Sequence, residues 1–175
     1  MRLTSSAVAR HIEAMIDRIG QAASMLVLMI IVLMVCNVLL RYSMSIGAVW
    51  SQELEWHLLA ALILFGMSYS LQRGDNVRVD LFYSKYSDRT KRVVNIVSTL
   101  LTMVIAGCMI YLSSKYVQQS FAVAEQSPDP GGIPMRWLVK GLIPVGYGLL
   151  MIQALGQLIR LIRSEGISSE EASNA

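Results

Sequence analysis

Long apolar stretches, separated by short polar segments, run along the whole of this chain. A helix needs roughly 20 largely apolar residues to cross the hydrocarbon of a bilayer. The stretches that meet this requirement are Ala22 to Leu40, Leu54 to Leu71, Val93 to Ser114, and Trp137 to Ile162. The pattern predicts an all-α integral membrane protein, in which four transmembrane helices form a single membrane domain over residues 1–175.

The two ends of the chain follow other patterns. Between Val8 and Ile19, apolar residues recur at helical spacing with charged residues on the other faces, which predicts an amphipathic helix. We expect this helix to lie along the membrane interface and to turn into the first span. Residues 164–175 are polar and acidic, and we expect them to be disordered.

Composition favours a lipid environment, and the placement of charge predicts the orientation. Apolar residues make up 54% of the chain, which is more than the core of one soluble domain of this size could bury. Eleven Lys and Arg lie on the side of the termini and the middle loop, and four lie on the other side. Because short loops rich in Lys and Arg stay in the cytoplasm, we expect both termini on the cytoplasmic side of a bacterial inner membrane.

Two other interpretations of these features are weaker. The first span resembles a secretory signal peptide in its basic start, but such peptides have an apolar run of only about 7 to 15 residues and an A-x-A cleavage site. The basic residues lie beside bilayer ends without interleaved aromatic residues, which indicates anchoring to lipid rather than nucleic-acid binding. Cys36 and Cys108 fall inside spans, where packing is the ordinary role of a cysteine.

The middles of the spans carry no Asp, Glu, Lys, Arg or His. Ionisable groups deep in a bilayer usually mark an ion or proton pathway, so a proton-coupled carrier complete in this chain is disfavoured. Neutral polar residues such as Asn37 are expected to hydrogen-bond between helices. A haem site needs paired axial ligands, and the only histidines are His11 and His57. We therefore predict no catalytic residue, no cofactor and no metal site.

Glu53, Glu55 and His57 form one compact titratable group near the start of the second span. Such a group could form a metal site or a proton relay. The favoured interpretation is structural: Ser51 caps the helix, the acids lie in its first turn where the helix dipole favours negative charge, and the group contacts a partner. Tryptophans suited to the headgroup boundary lie beside this group and at the fourth span: Trp50, Trp56 and Trp137.

Small residues and a proline on the third and fourth spans indicate where helices can approach closely. They are Ser98, Thr102 and Ala106 on the third span, and Gly141, Pro144 and Gly148 on the fourth. Such positions pack either within the bundle or against another membrane subunit, and the spacing alone does not decide between the two.

Three short motifs stand at the ends of the predicted spans. They are Trp50-Ser51-Gln52-Glu53-Leu54, Arg73-Gly74-Asp75-Asn76-Val77-Arg78-Val79-Asp80, and Ser127-Pro128-Asp129-Pro130-Gly131-Gly132-Ile133-Pro134. In this order and placement they resemble the small membrane subunit of tripartite ATP-independent periplasmic (TRAP) transporters. The family pattern often has His where Asn76 stands. The resemblance extends from the first span to Ile162, and it makes Arg78, Asp80 and Pro134 structural or interface candidates.

This resemblance implies a division of labour. A soluble periplasmic binding protein would capture an organic acid, and a large membrane subunit would move it with sodium. The small subunit would be a scaffold that stabilises and orients the large one, and the binding protein could also contact it directly. The Pro-Gly form of the last loop is similar to branches that transport 2-oxo acids or dicarboxylates.

Two alternatives from other classes stay open at this point: a self-contained four-helix small transporter, and a haem-bearing membrane anchor of a redox enzyme. The first should carry a membrane-embedded carboxylate, and the first span has only Asn37 as a strongly polar residue. The second should carry spaced histidine pairs. An enzyme is disfavoured because no nucleophile and base can be paired on facing helices.

Overall fold

The computed structural model describes residues 7–45, 47–74, 83 and 86–173, with side chains described from residue 9 to residue 162. Within those residues the regular structure is helical and includes no strand. The long helices are α1 (Ala7–Met44), α2 (Val49–Arg73), α3 (Asp88–Ala122) and α4 (Trp137–Ser173). Each of these four is long and apolar enough to cross a membrane, which confirms the predicted all-α architecture with four spans.

The amphipathic segment at the start of the chain is continuous with the first span. No proline interrupts α1, which is 38 residues and therefore about 57 Å long. Ile16 is fully buried, and Ile12 lies beside Gly156 of α4. Part of the apolar stripe, at Ile12 and Ile16, therefore packs inside the bundle, while Met15 is exposed, and the expected position along the membrane interface stays a prediction.

The last helix also extends beyond the predicted span. α4 continues past Ile162 to Ser173, through most of the segment 164–175. The expected disorder of that segment stays a prediction.

The helices define two ends of the bundle. The loop end contains Ser45, Gly47 and Ala48 between α1 and α2, and the connection 123–136. The basic end contains the start of α1, the end of α2, the start of α3 and the region of α4 around Arg160.

α4 is the central helix of the bundle. It packs against α3, α2 and α1, and α1 also packs against α2. Gly146 allows α2 and α4 to approach closely, because a Cβ at this position would lie 3.0 Å from the carbonyl oxygen of Leu64. By contrast, no described atom outside the backbone of α4 itself lies within 4 Å of a Cβ placed at Gly141 or Gly148. Those two positions are therefore open to a partner as far as the described chain is concerned, while Pro144 lies within the continuous helix.

The stripe of small residues on α3 is only partly used inside the bundle. Ala106 is fully buried, whereas Ser98 is exposed. The Thr102 hydroxyl donates to the carbonyl oxygen of Ser98 at 2.9 Å, so its polar group is satisfied within the helix. The stripe is a packing surface at Ala106 and an open surface at Ser98.

Most of the large apolar side chains are exposed. The buried apolar residues of the described chain are small apart from Ile16. Exposed apolar side chains cover α1 from Met25 to Leu40 and α3 from Val93 to Leu112. Surfaces of this kind suit lipid or the helices of another membrane protein, and they are too extensive for contact with water.

Candidate functional site: a polar cluster at the loop end

Glu53 lies in the second turn of α2, and its side chain is only 3% exposed. Its carboxylate accepts hydrogen bonds from the Ser127 hydroxyl and from the backbone N–H of Ile133, the latter at 2.5 Å. The guanidinium of Arg136 lies 4.0 Å away. The carboxylate therefore joins α2 to the connection between α3 and α4, and two of the three motifs meet at this point.

The connection that binds Glu53 is itself tightly folded. Its turns use the left-handed region at Gly131 (φ 80°) and Met135 (φ 62°). The N–H of Gly132 donates to the carbonyl oxygen of Asp129 at 3.0 Å. A Cβ at Gly132 would lie 2.7 Å from a carboxylate oxygen of Glu53, so a glycine is needed where this segment passes the carboxylate.

Glu125 forms a second carboxylate centre beside the first. It accepts a hydrogen bond from the Ser120 hydroxyl at 2.6 Å and pairs with the ammonium of Lys140. Hydrogen bonds from Lys140 and then from Ser120 hold the pKa of the Glu125 carboxyl below its ordinary value. The Lys140 ammonium also lies 4.0 Å from the ring centre of Tyr116, so the end of α3 and the start of α4 are joined by both charge and cation–π contact.

A third polar group connects α1 and α2. The Asn37 side chain donates to Glu55 at 2.8 Å and accepts from the Ser51 hydroxyl at 2.5 Å. Asn37 is thus the interhelical hydrogen-bond partner that its position in an apolar span indicates.

The expected helix-capping roles are wrong. The N-cap of α2 is Ala48, and the single hydrogen of the Ser51 hydroxyl is shared between the Asn37 amide oxygen and the Ala48 carbonyl oxygen, so Ser51 does not cap the helix. The first turn contains no acid, because α2 begins at Val49 and both Glu53 and Glu55 come later. These acids therefore act through specific hydrogen bonds rather than through the helix dipole.

His57 does not pair with the carboxylate of Glu53. Its ring Nδ1–H donates to the backbone carbonyl oxygen of Glu53 at 2.6 Å. Across the described residues, no three His, Cys, Asp or Glu side chains are grouped as metal ligands would be. Although Glu53, Glu55 and His57 are close in the sequence, their side chains have different partners in the structure. Glu55 contacts α1, Glu53 contacts the connection 123–136, and His57 contacts the backbone of α2.

The basic end is tied together by another set of polar contacts. Glu13 of α1 pairs with Arg160 of α4, and its carbonyl oxygen accepts from the Gln72 side chain at 3.1 Å. Arg73 pairs with Asp17 at 3.0 Å, which is a second link between α1 and α2. Polar networks thus lie at both ends of the bundle.

A comparison with protein families identifies this arrangement of helices and motifs. The family model described as "Tripartite ATP-independent periplasmic transporters, DctQ component" matches residues 28–164. This range includes the whole loop-end cluster, which consists of Asn37, Ser51, Glu53, Glu55, Ser120, Glu125, Ser127, Ile133, Arg136 and Lys140. The chain belongs to this family. It is therefore a transmembrane subunit of a TRAP transporter and not an enzyme, and it is a multi-pass protein of a bacterial inner membrane.

Two curated relatives are both named "C4-dicarboxylate TRAP transporter small permease protein DctQ". The one from Pseudomonas aeruginosa is 27% identical over 129 residues, which cover 70% of this chain and 61% of the relative. The one from Rhodobacter capsulatus is 27% identical over 111 residues, which cover 63% of this chain and 48% of the relative. The chain thus matches less than two thirds of the length of either relative.

The structure brings some of the candidate residues of this DctQ family member together and leaves others apart. Ser51, Glu53, Glu55 and His57 all make the contacts described above, and Trp137 packs edge-on against Phe121 at 5.3 Å. Trp50 and Trp56 are exposed, as is Pro134. Arg78 and Asp80 lie outside the described residues.

Sequence reasoning missed several members of the loop-end cluster. The sequence pattern accounts for Arg136 and Lys140 only as two of the four basic residues on the side with few charges, and it does not indicate Ser120 or Glu125. Glu125 and Lys140 are 15 residues apart across a connection, so no helical period places them together. The available signal is the charge pattern, since Glu125 is one of the few acids on the side that carries only four basic residues, two of which are Arg136 and Lys140.

Proposed function

We propose that this chain is the scaffold subunit of a sodium-coupled, binding-protein-dependent importer of an organic acid. In this assembly a large membrane subunit carries the substrate, and the present chain stabilises and orients it. A periplasmic binding protein delivers the substrate and is the second protein partner.

The placement of polar groups carries this proposal. Ion pairs and hydrogen bonds of Glu53, Glu125 and Glu13 tie helices together at the ends of the bundle. The middles of the spans hold no Asp, Glu, Lys, Arg or His. A carrier of anions needs polar partners near the bilayer midplane, so the transport site belongs to the large subunit. The exposed apolar faces of α1 and α3 offer lateral surface on which such a subunit can pack.

Reconstitution tests this division of labour. The chain, the large subunit and both together are placed in proteoliposomes, and sodium-driven uptake is measured with the binding protein present. We expect uptake only when both subunits are present. Uptake by this chain alone, or full uptake by the large subunit without it, would contradict the scaffold role.

The substrate is an organic acid, and a C4-dicarboxylate is the first compound to test. Both relatives are named for C4-dicarboxylate transport, and the Pro-Gly connection supports the same class. Competition for uptake between a C4-dicarboxylate, a 2-oxo acid and a monocarboxylate distinguishes the classes. Failure of all three to compete would remove the substrate proposal and leave the scaffold role unaffected.

A further inference from the structure

A pocket of about 250 Å³ lies between α1 and α2 near the loop end. Arg41, from the last turn of α1, and Glu55, from α2, both line it. Asn37, Met34, Val38 and Trp56 form further parts of its wall. Because Arg41 is close to the end of its helix and Trp56 is exposed, the pocket lies at the depth where basic and tryptophan side chains meet lipid headgroups.

The two charges of this pocket are not paired with each other. Among the described residues, Arg41 forms no ion pair, and Glu55 has one hydrogen bond, from Asn37, and no cationic partner. Arg41 therefore provides a positive subsite and Glu55 a negative subsite in the same pocket. A ligand that carries both an anionic and a cationic group would neutralise the two together.

An apolar surface leads from this pocket towards the middle of the bilayer. Ile31 and Val27 are exposed and follow Met34 and Val38 at helical spacing along α1. Leu59 and Ile63 are exposed and follow Trp56 in the same way along α2. The seam between the two helices thus offers an apolar path beneath a polar, doubly charged pocket.

We propose that this seam binds one phospholipid with a zwitterionic primary-amine headgroup, as in phosphatidylethanolamine. The phosphate contacts the Arg41 guanidinium, and the ammonium donates to the Glu55 carboxylate, whose orientation Asn37 holds. The acyl chains lie along the apolar surface of α1 and α2. The inference goes beyond the scaffold role and does not depend on the transported substrate.

The headgroup chemistry predicts a specific order of lipid preference. Phosphatidylglycerol has the phosphate but no amine for Glu55. Phosphatidylcholine has a cation without N–H groups, so it cannot donate a hydrogen bond. Phosphatidylethanolamine should therefore be retained more strongly than either lipid, by about fivefold for one charge-assisted contact at a partly exposed site.

Native mass spectrometry of the full chain tests this order. The chain is purified in mild detergent and mixed with equal amounts of the three lipids carrying identical acyl chains. Arg41→Gln should lower the retention of all three lipids, whereas Glu55→Gln should abolish the preference for the ethanolamine lipid. Glu55→Gln keeps an acceptor for Asn37, so the fold is maintained. Lys115→Gln removes an exposed basic side chain of α3 outside the pocket and should change nothing.

A fluorescence measurement gives a second readout on the chain with Arg41 and Glu55 intact. Phosphatidylethanolamine with brominated acyl chains should quench tryptophan emission more than brominated phosphatidylglycerol, and Trp56→Phe should remove that difference. Equal retention of the three lipids, no effect of Arg41→Gln and Glu55→Gln, or quenching unchanged by Trp56→Phe would each overturn the proposal. A cross-link from Val38→Cys to the large subunit in the assembled complex would also overturn it, because a protein would then cover the seam.

Discussion

Glu53 joins α2 to residues as far as 80 positions later in the chain. Both of its carboxylate oxygens are in use, one by the Ser127 hydroxyl and the other by the N–H of Ile133. A buried acceptor that serves several donors is costly to remove, because the donors are left without partners. At the scale of single residues, even a small chemical change to this carboxylate should therefore lower the stability of the chain.

Glu53→Gln should destabilise the chain, because an amide NH₂ would replace one acceptor oxygen and face a donor. We expect the thermal midpoint in detergent to fall by about 5 °C. Glu55→Gln is the matched control and should cost much less, since Glu55 accepts only one described hydrogen bond. If the assembled transporter is sodium-coupled as proposed, its sodium stoichiometry should not change. An assembled Glu53→Gln complex that had lost sodium coupling would show that Glu53 belongs to the transport mechanism.

The pKa of Glu125 predicts an acid-sensitive contact. Lys140 and Ser120 lower the pKa of this carboxyl in the folded chain. Its contribution to stability is therefore complete above the ordinary glutamate pKa and is lost as the pH falls through the lower folded value. Thermal midpoints measured from pH 7 to about pH 3.5 should fall more steeply below the ordinary value of about 4.3 in the native chain than in Glu125→Gln. Parallel curves would contradict this assignment.

At the scale of helices, sequence reasoning succeeded where one physical rule dominates. Backbone groups without hydrogen-bond partners are costly in lipid, which leaves few alternatives to a long apolar helix. Four spans could therefore be predicted from the lengths of the apolar stretches. The start of α2 could not be located as well, because moving the first residue of a helix by a few positions changes the free energy little. The helix begins at Val49, before Ser51, so Ser51 is not a cap and Glu53 lies beyond the first turn.

Contacts between helices were less predictable than the helices themselves. Small residues mark several possible places for close approach, but they do not say which helix approaches. Gly146 lies against α2, whereas a Cβ placed at Gly148 would have no described atom within 4 Å outside the backbone of its own helix. The contacts of Glu53 with Ser127 and Ile133 depend on the folded connection between α3 and α4, which no periodicity describes.

Gly146→Ala and Gly148→Ala provide a matched test of this packing. A methyl group at position 146 would contact Leu64 below normal distance and push α2 and α4 apart. We expect Gly146→Ala to lower the free energy of unfolding by about 1–3 kcal/mol. Gly148→Ala should be neutral or stabilising by up to about 1 kcal/mol in the chain alone, since alanine favours helix more than glycine does. Equal effects in a denaturant titration would contradict the observed helix arrangement.

The Gly148→Ala variant can also be tested in the complex with the large subunit. If the large subunit packs on the open side of α4, Gly148→Ala should weaken co-purification of the two subunits while leaving the isolated chain stable. Unchanged co-purification would place the large subunit on another face, such as the exposed surfaces of α1 or α3.

At the scale of the whole molecule, orientation in the bilayer follows from charge. The predicted topology places the basic end in the cytoplasm and the loop end, with Asp129, in the periplasm, because Lys and Arg are concentrated beside the basic end.

Cys36 and Cys108 are both exposed on the bundle surface, so labelling experiments must begin from a chain in which both are replaced by alanine. Asp129→Cys and Arg89→Cys then place one thiol at each end, and both native side chains are exposed. In intact cells a membrane-impermeant maleimide should label Asp129→Cys, whereas Arg89→Cys should react only after permeabilisation. A phosphatase fusion after Ala175 should be inactive for the same reason. Labelling of Arg89→Cys in intact cells, or an active fusion, would contradict the predicted orientation and would place the loop end in the cytoplasm.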